Sequence, residues 1–269
     1  MPVALAASVL IFAALAAHSV AAQELTPRAY WPAPKGTKVL LIGYSNAEGD
    51  VLFDPSIPHY GVDSELNAGL LAYVQSLSLW GRSSNLIVEL PYVWGETRGF
   101  IEDTPASRKY SGFSDLGVTL SVNLMGAPSM SVEEYLAFRA DPEAILGASL
   151  KVIAPTGEYD GTRLINEGAN RWAVKGELGY TLPLSPKWLL DFEAGALFFG
   201  DDDEFVAGKK EQDPIYSAQM HVIRRFSPGF WGSLNFNYFT GGRQTIDGVQ
   251  LGDVQRNSRI GVTFVFPVA

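Results

Sequence analysis

Between Trp188 and Phe198 the chain reads WLLDFEAGALF. Trp188, Leu190, Phe192, Ala194, Ala196 and Phe198 hold one set of alternate positions, and Asp191, Glu193 and Gly195 hold the other. Successive side chains of a strand point to opposite faces, so this is a strand with one apolar and one polar face. The same period recurs. In FWGSLNFNYF (230–239), Leu234, Phe236 and Tyr238 oppose Ser233, Asn235 and Asn237. In WAVKGELGYTL (172–182), Trp172, Val174, Leu178, Tyr180 and Leu182 oppose Lys175, Glu177 and Thr181. Leu116 to Leu124 and Ile260 to Phe266 repeat the pattern. Each run covers about 10–14 residues, where a soluble sheet uses about 5–6 and a tilted membrane-crossing strand about 9–11.

Ten such strands are expected, near residues 37–48, 64–79, 83–97, 112–125, 144–155, 170–182, 186–199, 213–226, 229–240 and 256–268. Pairing by Arg28–Pro34 would raise the count to 12, and a slip in the alternation at Tyr73–Leu79 reads as a bulge. Short connections (80–84, 183–186, 227–229) alternate with long ones (46–63, 98–111, 156–169, 200–212, 241–255). That rhythm belongs to an all-β, antiparallel up-and-down transmembrane barrel with tight periplasmic turns, longer outer loops and both termini in the periplasm. The long connection 126–143 breaks the rhythm, and Ser131 with Glu134 forms a capping-box pattern there, so a short helix over 131–139 is expected. Trp80, Tyr92, Trp94, Trp172, Trp188, Trp231, Tyr238 and Phe266 fall near strand ends, as in interfacial aromatic girdles. The chain closes on RIGVTFVFPVA, an alternating strand carrying Phe266 for the barrel-assembly machinery, with Pro267, Val268 and Ala269 after it.

Residues 1–22 (MPVALAASVLIFAALAAHSVAA) read as a signal peptide cleaved after Ala22, with Val20 and Ala22 as the small residues before the cut and no Lys or Arg after Met1. Residues 23–269 then form a single barrel domain in the outer membrane of a Gram-negative cell, in contact with lipid and lipopolysaccharide. The chain has no cysteine, which excludes disulfides and thiol chemistry. A net charge of −9 argues against a nucleic-acid partner.

Several stretches resemble the outer-membrane protein family of the MetA pathway of phenol degradation: LTPRAYWPAPKGTKVLLIGY (25–44), GDVLFDPSIP (49–58), GRSSNLIVELPYVWG (81–95), GFSDLGVTLSVNLMGAP (112–128) and APTGEYDGTRLINEGANRWAVKGELGYT (154–181). The resemblance spans nearly the whole mature chain. It implies an outer-membrane barrel that passes aromatic or other small organic compounds.

The expected lumen set is Glu89, Asp115, Lys151, Lys175, Glu177, Asp191, Glu193, His221 and Arg259, because charges at mid-membrane depth must face inward. Two readings stay open. In one, these groups line a solute path. In the other, they form a salt-bridge network filling a narrow barrel, Lys175 and Glu177 opposing Asp191 and Glu193, and the outer loops carry a structural or adhesive role. Leu189, Leu197, Phe199 and Trp231 also face inward near strand ends, as a small apolar vestibule. An enzyme is not expected. A barrel hydrolase would need His59 with Asp54 and Ser56 in the first outer loop, which are ordinary loop residues. No cofactor or metal is expected: Asp201–Glu204 lacks calcium-loop spacing, and APTGEYDGT (154–162) lacks the lysine of a phosphate loop.

Overall fold

The structure, a computed structural model, describes residues 8–11, 26–49, 63–101 and 104–267. His59, Asp54, Ser56 and the proposed cleavage site at Ala22 lie outside the described residues.

The strands are β1 (Ser8–Ile11), β2 (Lys38–Gly49), β3 (Asp63–Leu79), β4 (Arg82–Ile101), β5 (Thr104–Phe113), β6 (Leu116–Met125), β7 (Ile145–Ala154), β8 (Ala173–Ser185), β9 (Trp188–Phe199), β10 (Lys210–Gln212), β11 (Ile215–Ser227), β12 (Phe230–Gly241), β13 (Gln244–Ile246), β14 (Val249–Gln250) and β15 (Gln255–Pro267). One antiparallel sheet runs β1-β15-β12-β11-β9-β8-β7-β6-β4-β3-β2, with β5 also on β4. β5 and β6 are two halves of one strand. β5 pairs with Tyr92–Ile101 of β4, and β6 with Ser84–Glu89. The break falls at Ser114–Asp115, opposite Pro91, whose carbonyl accepts from the Ser114 N–H at 2.9 Å. Among the described residues, ten barrel strands remain once β1 is set aside.

β1 comes from the segment read as a signal peptide. It pairs with the end of β15, Ser8 opposite Pro267 and Ile11 opposite Phe264, and lies beside β2, so the two ends of the sheet path meet around it.

Burial is inside-out relative to a soluble protein. Asp191 and Glu193 are 2% and 3% exposed and His221 is fully buried, while Leu40 and Ile42 are 65% and 79% exposed. Polar side chains turn inward and apolar ones outward, the pattern of a barrel in lipid. The aromatics follow suit. Tyr44, Tyr92, Trp94 and Phe113 form an outward cluster near the long-loop end. Phe226, Phe230 and Phe266 stack at the short-turn end. Trp231 departs from the expected girdle: it is buried and points inward.

Three expectations are corrected. No bulge occurs at Tyr73–Leu79, since β3 keeps continuous register with both β2 and β4. The bulges lie at Asn123/Met125, Pro183/Ser185 and Arg225/Ser227, all at the short-turn end. Residues 98–111 are not an irregular loop; β4 and β5 continue through most of them as a paired hairpin. Arg28–Pro34 adds no strand and enters the lumen instead. The expected helix is α1 (Val132–Ala140), with Ser131 as N-cap and the reciprocal Ser131–Glu134 capping box present.

Candidate functional site

The floor of the lumen is built by the chain ahead of β2. Residues 26–37 thread in at the short-turn end, pinned by backbone bonds from Lys35 N–H to the Met130 carbonyl (2.8 Å) and from Gly36 N–H to the Ser76 carbonyl (3.1 Å). Trp31 packs on Phe138 of α1 at 5.6 Å and donates its ring N–H to the Tyr135 hydroxyl. Arg28 adopts a positive φ of 68°. Its guanidinium lies over the rings of both Trp31 and Trp231, and its backbone N–H donates to Asp191 Oδ2 at 2.9 Å. Tyr30, 3% exposed, reaches the wall formed by β7 and β8. Asn123 Nδ2 donates to its backbone carbonyl at 3.0 Å. We call this segment the plug. Its aromatic residues join Ile145, Leu189, Ile223, Trp231 and Val265 in an apolar cluster. A second cluster, Ala173, Leu197, Ile215 and Phe239 with Ile153 and Phe199 against it, sits toward the long loops. The expected vestibule residues therefore divide between two clusters at opposite ends.

The polar side chains lie between. Lys175 Nζ meets Glu177 Oε2 at 2.8 Å, and Lys151 Nζ meets Glu89 Oε2 at 2.6 Å, passing over Gly117, which has no side chain to obstruct it. The expected pairing of Lys175 and Glu177 with Asp191 and Glu193 does not form. The register sets Lys175 opposite Leu197 and Glu177 opposite Gly195. Instead, Glu193 accepts from Gln219 Nε2 at 3.1 Å and lies 3.9 Å from His221 Nε2. His221 Nδ1 is bonded to Asn235 Oδ1 at 2.9 Å, and Asn235 donates onward to Thr263. Glu193, Gln219, Asn237 and Arg259 are successive cross-strand neighbours on β9, β11, β12 and β15. In this row Glu193 Oε1, Gln219 Oε1 and both amide atoms of Asn237 are buried without a protein partner among the described residues. A buried polar atom left so costs about 1–3 kcal/mol. The row is thus a place for water or for the polar group of a solute.

Asp115 does different work. At the break between β5 and β6 it accepts from Gly157 N–H (2.9 Å) and Ala169 N–H (2.8 Å), clamping both ends of loop 156–169. That loop is tied to its neighbour as well: Tyr159 donates its hydroxyl to Asp202 at 2.6 Å, and Asn170 donates to the same carboxylate at 2.8 Å. Burial and the Asp202 carboxylate hold the Tyr159 phenol well above its ordinary pKa. Arg171 bonds Gln212, and burial lowers its guanidinium to about 10. Of the acidic run, Asp201 pairs with Lys209 at 2.6 Å and Asp202 is buried as a loop anchor. Among the described residues no group of three His, Asp or Glu side chains is placed to hold a metal.

The other arc of the wall escaped the sequence reading. Leu41, Ala72 and Glu89 are cross-strand neighbours on β2, β3 and β4. Glu89 turns inward to Lys151, so the positions of the same parity also face the lumen. At mid-height they are Val39, Leu70, Val74, Ile87, Pro91 and Val93, while Ser76, Ser83 and Asn85 continue the same face toward the short turns and Ser64 and Thr97 toward the long loops. At mid-height the lumen has one polar arc, from β7 round to β15, and one mostly aliphatic arc on β2 to β4, interrupted by Glu89.

The profile of the family described as the MetA-pathway of phenol degradation matches residues 45–268. The chain belongs to this family. No curated protein matches it. Its fold is similar to that of a crystal structure described as the COG4313 outer membrane channel from Pseudomonas putida F1, at a TM-score of 0.67 and 20% identity, covering 90% of this chain and 99% of that one.

Proposed function

We propose that the protein is an outer-membrane channel for small organic molecules with an apolar, often aromatic, body. The observation that carries this reading is the two-arc lumen. An aliphatic wall on β2–β4 offers contact to a hydrocarbon surface, while the unsatisfied atoms of Glu193, Gln219 and Asn237 offer bonds to a polar substituent. The family description and the channel fold agree with it. On this reading the short-turn end and both termini lie in the periplasm, lipid and lipopolysaccharide surround the barrel, and the assembly machinery reads β15. The protein carries out no chemical step.

The test is flux through proteoliposomes. Leu70→Asp sets a charge in the apolar arc and is expected to cut benzyl alcohol flux about tenfold, the factor that about 1.4 kcal/mol of lost apolar contact supplies. Glu193→Lys is expected to alter ion conductance in planar bilayers. If the wild type and both variants pass neither solute nor ions, the reading fails. The filling of the short-turn end by the plug favours one competitor, a non-transporting structural or adhesive barrel. It predicts that trimming 200–212 or 241–255 abolishes the cellular phenotype while lumen changes leave it intact.

A further inference from the structure

Tyr30 is itself a phenol, and the wall holds it as a ligand would be held. Its ring lies in a slot made by two glycines directly opposite each other on β7 and β8, Gly147 and Gly179. A Cβ on Gly147 would come 2.1 Å from the ring's Cδ1, and one on Gly179 would come 2.0 Å from its Cε2. Either methyl would occupy the ring's place. The next inward residues on the same two strands meet the hydroxyl: Ser149 Oγ at 3.0 Å and Glu177 Oε1 at 3.3 Å. Flat backbone on the ring edges and two polar groups on the hydroxyl make up the seat. Nothing in it recognises the peptide to which this phenol is attached, apart from Asn123 on the Tyr30 carbonyl.

We propose that the Gly147–Gly179 slot with Ser149 and Glu177 is a binding site for para-substituted phenols, and that Tyr30 is the occupant a solute displaces. The proposal rests on the channel reading above and names a solute class for it. The para position follows from Tyr30 itself, whose Cβ marks where a solute's substituent projects. The neutral form is selected, because a phenolate would face the Glu177 carboxylate as a like charge. Displacement leaves the barrel ladder intact, since the plug is held by single bonds and aromatic contacts and not by strand pairing. A resident occupant also lowers the apparent affinity of any competitor by the fraction of time the seat is free.

The test uses the full-length barrel and 4-methylphenol, the tyrosine side chain as a free molecule, in calorimetric titrations corrected for partition into detergent. Tyr30→Ala is expected to raise apparent affinity at least tenfold over wild type. 4-Methylanisole, which has no O–H to donate, is expected to bind Tyr30→Ala at least tenfold more weakly than 4-methylphenol. Adding Gly147→Val to Tyr30→Ala is expected to abolish saturable binding, with heat-modifiable migration on gels reporting that the barrel has formed. Equal affinity of wild type and Tyr30→Ala, equal binding of the anisole, or binding that survives Gly147→Val in a formed barrel would each overturn the proposal. A parallel flux measurement separates it from the channel reading. Slot-dependent binding without flux refutes the channel alone, and flux indifferent to Tyr30→Ala and Gly147→Val refutes the slot alone.

Discussion

Gly179→Ala is the smallest change that should open the floor of the lumen. The added methyl would stand 2.0 Å from Cε2 and 2.2 Å from Cδ2 of Tyr30. Carbon atoms in contact sit about 3.5–4.0 Å apart, so the ring must retreat by about 1.5 Å. The strand cannot yield, because β8 is laddered on both sides, to β7 and β9. Across the ring, Gly147 already approaches the opposite edge. Trp31 is fixed beside it between Phe138 and the Arg225 guanidinium. Overpacking of this kind costs about 1–3 kcal/mol. Loss of the hydroxyl's bonds to Ser149 and Glu177 adds about 0.5–1.5 kcal/mol each. A total near 3 kcal/mol shifts the balance between seated and released plug by about a hundredfold.

Two assays read that shift. In planar bilayers, Gly179→Ala should show larger or more frequent openings than wild type. In solution, trypsin should cut at Arg28 and Lys35 faster than in wild type. Gly176→Ala is the control, since a Cβ there meets nothing within 4 Å and its effect should be nil. If Gly179→Ala matches wild type in both conductance and tryptic cleavage, the plug is not held by the glycine slot and the reasoning is wrong.

Asp115→Ala removes the acceptor of two backbone N–H groups, each such charged bond being worth about 1.5–3 kcal/mol. Hydrogen exchange should accelerate across 156–169, with little change in the strands; uniform protection in that loop would refute the clamp. The Tyr159–Asp202 bond should depend on pH at the alkaline end. The folded phenol titrates above its ordinary value of 10.0. The contribution is therefore fully present below that value and lost as pH rises through the raised one. Wild type minus Tyr159→Phe absorbance at 295 nm should show one late-titrating tyrosine, and a difference curve centred at the ordinary value would contradict the bond.

Much of this fold was legible because a barrel strand writes its two environments into alternate residues. Asp191 and Glu193 between Leu190, Phe192 and Ala194 leave little choice of face. Ser131 and Glu134 announced α1, since a capping box is local chemistry. The apolar arc was not legible for the complementary reason. Where both faces of a strand are apolar, as along Leu70–Val74, alternation fades, and the same fading at Tyr73–Leu79 reads as a bulge. The upper hairpin of β4 and β5 was hidden by loop-like composition. The plug and its slot are invisible to any local reading. Tyr30 bonds partners 119 and 147 positions away, and a glycine inside a strand signals a close approach without naming what approaches. For the candidate site, alternation alone gave the inward parity of residues such as Lys175, Asp191 and Glu193, yet their partners depended on register, and Asp115 turned out to clamp a loop.

Those partners bear on what the lumen can pass. Had Lys175 and Glu177 faced Asp191 and Glu193, one dense ionic mesh would fill the barrel. Two of the four ionic groups are spent instead on one local pair, Lys175 with Glu177, and Lys151 neutralises Glu89. Asp191 is committed to the plug. Among the described residues, the polar atoms left without a protein partner in the Glu193 row are one oxygen each of Glu193 and Gln219 and the amide of Asn237, with Arg259 next in the row on β15. Facing them is an aliphatic wall, and an apolar cluster lies at each end. An ion gains little there in exchange for its hydration shell. Under the proposed channel function, a neutral molecule with one hydrogen-bonding substituent would lose less water and gain contact on both arcs, so that selection between the two would be set chiefly by the cost of dehydration.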